Sequence, residues 1–333
     1  MMIDWSDRDA GPIGVAVAQL GGPRNLDEVE PFIRRIFLDP DTVPLRGGRA
    51  VRTAFGYGVA RLRAPSVRRN YRLIGSGSPI LPITERQSHL LEDALRRRTQ
   101  RDVFTAVAMR NARPDTNDAV AYLQRCSVSR LIMLPLYPQY SEATTGSSYK
   151  VLSEVLRHDA PHLPVTLVHD WFDHPAYIAF QARLIEQSLD QLPADTRRET
   201  VLLFSAHGLP TRLIEAGDPY QRQTEATVEA LVRALGWSNE HRLAYQSRTG
   251  PVDWIGPGTE EIIDELAAEG FRSIVVVPVS FVSDHIETLY ELDILFRERA
   301  EAAGITSYTV VPAMNDSPGV GDLLASVLLD ATG

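Results

Sequence analysis

The chain has 333 residues, 44% hydrophobic and 23% charged, with a formal charge of −9. That length suits one large domain or two ordinary ones, and the composition excludes disorder, collagen and a disulfide-stapled miniprotein; the negative charge argues against bulk nucleic-acid binding. The single cysteine, Cys126, excludes an internal disulfide, a zinc ribbon and a Cys-ligated iron–sulfur cluster within one chain.

The opening MMIDWSDRDAGP is polar and acidic, unlike a signal peptide, and no apolar run reaches the ~18–20 residues of a membrane span. A cytoplasmic location is expected. In chain order, Ile13–Leu20, Phe104–Ala108, Leu131–Leu136, Val165–Val168, Thr200–Ser205 and Ile274–Val279 read as buried strands. They are apolar without alternation, as in parallel sheets covered on both faces. Helical patterns lie between them at Thr84–Thr99, Asp115–Arg125, Ala176–Gln191, Gln221–Leu235 and Thr259–Glu269. The alternation predicts a doubly wound α/β architecture.

The two halves repeat weakly. Strands run into Leu20-Gly-Gly-Pro23 and into His207-Gly-Leu-Pro210, and later strands carry Pro135 and Pro278. Counted from those prolines, Ser141 matches Asp284 and Thr144 matches Glu287, while Leu20 stands where the second half has His207. Two similar α/β domains are therefore expected, about 1–160 and 161–333, with the last helix packing back on the first. Ionisable chemistry would belong to the second.

One segment, about residues 46–79, has no counterpart. Arg46, Arg49, Arg52, Arg61, Arg63, Arg68, Arg69 and Arg72 fall there with no acid among them, interleaved with Phe55, Tyr57, Leu62 and Tyr71. Such a segment suits a flat anionic ligand or a surface of anionic lipid; its plain alternative is a solvated helix face. Gly75-Ser-Gly-Ser78 is neither GxGxxG nor a P-loop, and no GxSxG elbow is present.

His207 ends a buried strand, where a lone histidine is as a rule structural. A second group changes its meaning. Ser283-Asp-His-Ile-Glu287 comes after another strand and opens a helix, with Ser283 or Asp284 placed to cap it. Glu287 and Glu291, four apart, share a face and repel unless a cation or proton lies between them. Gln246-Ser-Arg-Thr-Gly-Pro-Val-Asp-Trp254 reads as a turn beside a core Trp, and the hydroxyl-rich run from Ser141 to Ser148 as an anion site or an ordinary cap.

Together these segments resemble ferrochelatase, which inserts ferrous iron into protoporphyrin IX. The resemblance runs through Leu20-Gly-Gly-Pro23, Phe37-Leu-Asp-Pro40, Ile74-Gly-Ser-Gly-Ser-Pro79 and Leu134-Pro-Leu-Tyr-Pro-Gln-Tyr-Ser141 with Thr144-Thr-Gly-Ser147. It continues in Phe204-Ser-Ala-His-Gly-Leu-Pro210, Gly217-Asp-Pro-Tyr220, Tyr245-Gln-Ser-Arg248 and Ser283 to Asp293. It implies two Rossmann-like domains facing across a porphyrin cleft, with the arginine-rich segment as a lip. It places the catalytic pair on His207 and Glu287, the metal ligands on His207, Glu287 and Glu291, and substrate contacts on Leu20, Arg110, Tyr137, Ser141, Thr144, Gln246, Ser247, Trp254 and Asp284. Fe²⁺ would be a substrate, with no tightly bound cofactor and no iron–sulfur cluster. Partners would be protoporphyrin IX and an anionic membrane met peripherally through the lip, with no nucleic acid.

There are departures. Leu295 stands where an acid is often found, and Asn111 comes after Arg110 where an aromatic is common. Leu20 replaces the tyrosine of coproporphyrin-using members, favouring protoporphyrin. The alternatives are a related chelatase for coproporphyrin III or another divalent metal, and a non-catalytic two-lobed binding protein.

Overall fold

The computed structural model describes residues 3–7, 11–39, 48–248, 250 and 252–333. Pro40, Arg46, Thr249 and Pro251, named in the motifs above, lie outside the described residues. Contacts divide the chain into two units, Met1–Tyr137 with Ser141–Asp170 and Asn315–Gly333, and Pro138–Tyr140 with Trp171–Met314. The first unit thus runs past residue 160 and includes the C-terminal helix Val320–Thr332.

Its sheet has the order β2-β1-β3-β4, all parallel, from β1 (Ile13–Gln19), β2 (Val103–Met109), β3 (Arg130–Pro135) and β4 (Val165–Leu167). Every residue of β1 is buried, which explains its unbroken apolar run. β4 departs from the expectation of a buried strand. It pairs only with β3 at the sheet edge, and Val165 and Leu167 are exposed.

Among the described residues three α-helices precede β2: α1 (Val29–Leu38), α2 (Arg49–Leu73) and α3 (Ile80–Thr99). The arginine-rich segment becomes α2, which packs against α1. Ala60, Ala64 and Tyr71 supply its buried side, so Tyr71 belongs to the core and not to a lip surface.

The C-terminal helix packs on α3. Gly321 makes that approach possible, because a Cβ there would stand 2.4 Å from the carbonyl oxygen of Leu90. Gly321→Val is expected to cost about 1–3 kcal/mol through the forced separation. Denaturant unfolding checks this; an unchanged midpoint would show that the contact carries no stability.

The second unit repeats the topology in the order β6-β5-β7-β8. Its strands are β5 (Thr200–His207), β6 (His241–Gln246), β7 (Ser273–Pro278) and β8 (Ser307–Val310). The register reproduces the sequence repeat. Ala18 pairs with Pro135 in the first sheet as Ser205 pairs with Pro278 in the second, so Leu20 and His207 occupy equivalent places. Likewise Gln19 faces Met109 and Ala206 faces Tyr245, which makes Arg110 and Asn111 the equivalents of Gln246 and Ser247. The sequence pattern does not predict β6 and β8, because their mixed residues lack a continuous apolar run; only the Ala244–Gln246 end of β6 is fully buried.

Candidate active site

His207 is the last residue of β5, and the fold holds it by its backbone: its N–H donates to Ser280 Oγ at 3.0 Å. The imidazole Nδ1 lies 2.7 Å from Glu287 Oε2. A carboxylate only accepts, so Nδ1 carries a proton; in the neutral ring Nε2 is then the free nitrogen, and in the charged ring both nitrogens are protonated.

Glu287 opens a wide π-turn helix, Glu287–Leu295, beyond β7 and the loop that leaves it. Such turns occur frequently at functional sites. The helix follows Ile286, whose side chain makes no cap, and Asp284 Oδ1 accepts from Thr288 Oγ1 at 2.8 Å within the first turn.

Ser247 lies between the two acids. Its Oγ is 3.1 Å from Glu287 Oε2 and 2.6 Å from Glu291 Oε2, and its N–H donates to Glu291 Oε1 at 2.7 Å. A hydroxyl has one proton to give, so both contacts close only when one carboxyl carries a proton. Glu291 is the acid suited to hold it. Burial pushes its pKa up, and the charge of Glu287 adds to that. For Glu287, burial works against ionisation, but the His207 charge and hydrogen bond outweigh it and hold the carboxyl well below its usual range. Burial likewise opposes a charged His207, and Glu287 overrides it, raising the imidazole pKa. The result is a chain of groups, Glu291, Ser247, Glu287 and His207, that holds one mobile proton beside an ion pair.

Gln246, at the end of β6, completes the frame: its Oε1 accepts from Ser205 Oγ at 2.9 Å and its Nε2 donates to the carbonyl of Glu287 at 3.2 Å. The segment expected as a turn is therefore a strand end built into the site. Trp254 is bridged to Pro210, and its buried indole N–H has no partner among the described residues.

In the first unit Arg110 forms a 2.7 Å ion pair with the buried Asp39 and donates to Ser147 Oγ at 3.2 Å. Burial raises the pKa of Tyr137, with the Arg110 charge acting the other way. Leu20 accepts the N–H of Asn111 at 3.0 Å through its carbonyl, and Asn111 is buried. Arg110 and Asn111 line a cavity of about 380 Å³ together with Arg35, Asp39 and Lys150. Ser141 caps the π turn Glu142–Gly146, and Thr144 lies within that turn, as Glu287 lies in its own.

Sequence reasoning missed His285. Its Nδ1 donates to the carbonyl of Ser283 at 3.0 Å and its Nε2 stands 3.8 Å from Glu287 Oε1. Its spacing two residues before Glu287 was the available signal. Ser280 and Asp39 were given no role either, although Asp39 stands in the Phe37-Leu-Asp-Pro40 motif. Among the described residues no group of three or more His, Cys, Asp or Glu side chains forms a ready metal cage; His207, Glu287 and Glu291 are joined by hydrogen bonds instead.

The ferrochelatase family model matches residues 12–332. The chain belongs to the ferrochelatase family. The ferrochelatase of Picosynechococcus sp. is 43% identical over 324 residues, covering 96% of this chain and 83% of the relative. That of Gloeobacter violaceus is 41% identical over 325 residues, covering 96% and 98%. A solved structure of SirB from Bacillus subtilis with Fe³⁺ shares the fold at 9% identity, with a TM-score of 0.57 over 97% of this chain and 96% of SirB. Ferrochelatase membership makes the chain a porphyrin metal chelatase, a lyase of heme biosynthesis. Among the described residues no helix is long and apolar enough to cross a membrane.

Proposed function

We propose that this chelatase inserts Fe²⁺ into protoporphyrin IX, releasing two protons and forming protoheme, with His207 and Glu287 as its catalytic pair. The observation that supports this most is the 2.7 Å contact between His207 Nδ1 and Glu287 Oε2. Metallation must remove two pyrrole N–H protons and strip water from the ion. A neutral His207 offers Nε2 either to a departing pyrrole proton or to the incoming metal. Either event places positive charge on or beside the ring, and Glu287 is already aligned to stabilise it. Carboxylate oxygens of Glu287 and Glu291 would complete the metal contacts, and Ser247 would return a proton between them. Iron is a substrate in this reading, and no resident cofactor takes part. The substrate contacts are assigned to Leu20, Arg110, Tyr137, Ser141 and Thr144 in the first unit and to Gln246, Ser247, Trp254 and Asp284 in the second.

The deciding assay is anaerobic. Purified protein with Fe²⁺ and protoporphyrin IX is expected to lose porphyrin fluorescence and gain the Soret and visible bands of protoheme. Turnover confined to coproporphyrin III or to another divalent metal would overturn the substrate assignment. No turnover with any pair would overturn the reading.

A cytoplasmic protein that meets membranes peripherally through α2 belongs to the same proposal. Phe55, Tyr57 and Leu62 are 42%, 51% and 82% exposed among the arginines of α2. Exposed arginine pairs contribute only about 0–1 kcal/mol each, so apolar insertion at ~25 cal/mol per Å² would supply much of the affinity. Flotation with anionic vesicles is expected at low salt, weakening as the Debye length falls from ~10 Å at 0.1 M to ~3 Å at 1 M. Changing Arg61, Arg63, Arg68 and Arg69 to Gln should abolish it; equal flotation of both proteins, or of neither, would leave α2 without this role.

A further inference from the structure

Ser247 joins Glu287 to Glu291 from a left-handed backbone, with φ of 61°. A serine meets a steric penalty there and stays only where its surroundings over-determine it. The residue before it is fixed: Gln246 is paired in the sheet beside His207 and is held by Ser205 and the carbonyl of Glu287. The residue after it is Arg248, whose side chain is 20% exposed and reaches the helix Thr259–Ala268.

Nη2 of Arg248 donates to Glu261 Oε1 and lies 3.6 Å from Glu260 Oε1. Glu261 is fixed in turn, because its other oxygen accepts the N–H of Gly258 at 2.7 Å in the first helical turn, where a carboxylate is favoured. Two glycines make room for this arm. A Cβ on Gly258 would stand 2.2 Å from Nη2 and 2.7 Å from Cζ. A Cβ on Gly208 would stand 2.8 Å from the carbonyl oxygen of Gln246 and 3.1 Å from Arg248 Cγ. The residue after His207 and the residue that starts the next helix thus both yield space to one arginine.

We infer that Arg248, clamped by Glu261, is a positioning residue for metal insertion: it holds Ser247 in the conformation that links Glu287 to Glu291. The inference rests on the reading of His207, Glu287 and Glu291 as the reacting group. The guanidinium is directed at the helix Thr259–Ala268, so its influence on the two acids runs through Ser247. A planar fork of donors locks that geometry in a way that a flexible apolar side chain of similar length cannot. Small displacements of such a support cost rate more than binding.

The test uses the full chain, with kcat, the KM for porphyrin, the KM for metal and Tm measured for each variant. Arg248→Met is expected to lower kcat about tenfold with porphyrin KM within about twofold and Tm little changed. Arg248→Lys, which keeps charge and a donor, should recover at least about a third of wild-type kcat, and Glu261→Gln should reproduce part of the loss, about threefold. Because Arg248 acts through Ser247, the double variant Arg248→Met/Ser247→Gly should be no slower than Ser247→Gly alone. Wild-type kcat in Arg248→Met overturns the inference, as does a double variant whose loss is the product of the single losses. If Arg248→Met does not fold, Glu261→Gln carries the comparison, because its side chain is 52% exposed. Retained turnover in His207→Ala and Glu287→Gln would instead overturn the reading of the site, a result distinct from their inactivity beside a normal Arg248→Met.

Discussion

Glu287→Gln and His207→Ala are each expected to lower metal insertion by about 10²–10⁴-fold while porphyrin affinity stays within about tenfold. The reason is a division of labour. The macrocycle is a large apolar disc, and most of its affinity comes from area removed from water. In the proposed reading neither His207 nor Glu287 would contribute much of that area, whereas both would hold the charge that appears when protons leave and metal enters. Gln keeps the volume of Glu287 and removes its charge, so the imidazolium loses its aligned partner. Ala removes the nitrogen altogether. Initial rates with Fe²⁺ and protoporphyrin, beside fluorescence titration of porphyrin binding, give both numbers. Near-normal turnover in either variant would take that residue out of the catalytic pair. Thr144, the equivalent of Glu287 in the first unit by register and spacing, has a hydroxyl that donates a weak 3.4 Å hydrogen bond to the Ser141 carbonyl, and Thr144→Ala should be far milder.

The second large effect is on titration. In the wild type His207 is expected to titrate above its ordinary value of 6.5, because the Glu287 charge overcomes the opposing effect of burial. Glu287→Gln removes the larger favourable part and leaves burial, the largest cause, against the smaller pull of the Glu291 charge, so the same imidazole should then titrate below 6.5. Two-dimensional NMR of the histidine ring protons tracks this directly; an unmoved or upward-moving value would show that the pair is not coupled as the geometry implies.

Stability should obey the same signs. The raised His207 value contributes stability that is complete below pH 6.5 and is lost as pH climbs through the folded value. The lowered Glu287 value contributes above pH 4.5 and is lost as pH falls through its folded value. Glu291 acts oppositely: the unfolded chain ionises first, so its effect is a loss of stability as pH rises from 4.5 through the raised value. Denaturation midpoints across pH, compared between wild type and Glu287→Gln, separate these contributions.

Much of the fold and of the site is legible in the residues themselves. Largely apolar runs mark six of the eight strands among the described residues as buried, because a strand covered on both faces has no polar side to show, and five of them are; β4, at the sheet edge, is not. The repeat of strand-end prolines places Leu20 opposite His207 in the two halves, and the sheet registers agree residue for residue. His207, Glu287 and Glu291 stand in motifs dense enough to carry the family resemblance without any knowledge of contacts. The remainder depends on approach between segments distant in sequence. The residues of β6, His241–Gln246, show little apolar pattern because only its far end is buried, so Gln246 and Ser247 read as a turn beside a tryptophan. That Ser247 sits between two acids 40 and 44 positions away is decided by where β6 ends relative to the π-turn helix. The same holds for Asp39 beneath Arg110, for Tyr71 turned into the core, and for the glycines that admit Arg248. Local pattern records burial and backbone preference, which are short-range properties. Which polar groups meet, and so which acid keeps its proton, is set only when packing brings strand ends and helix starts to within hydrogen-bond reach.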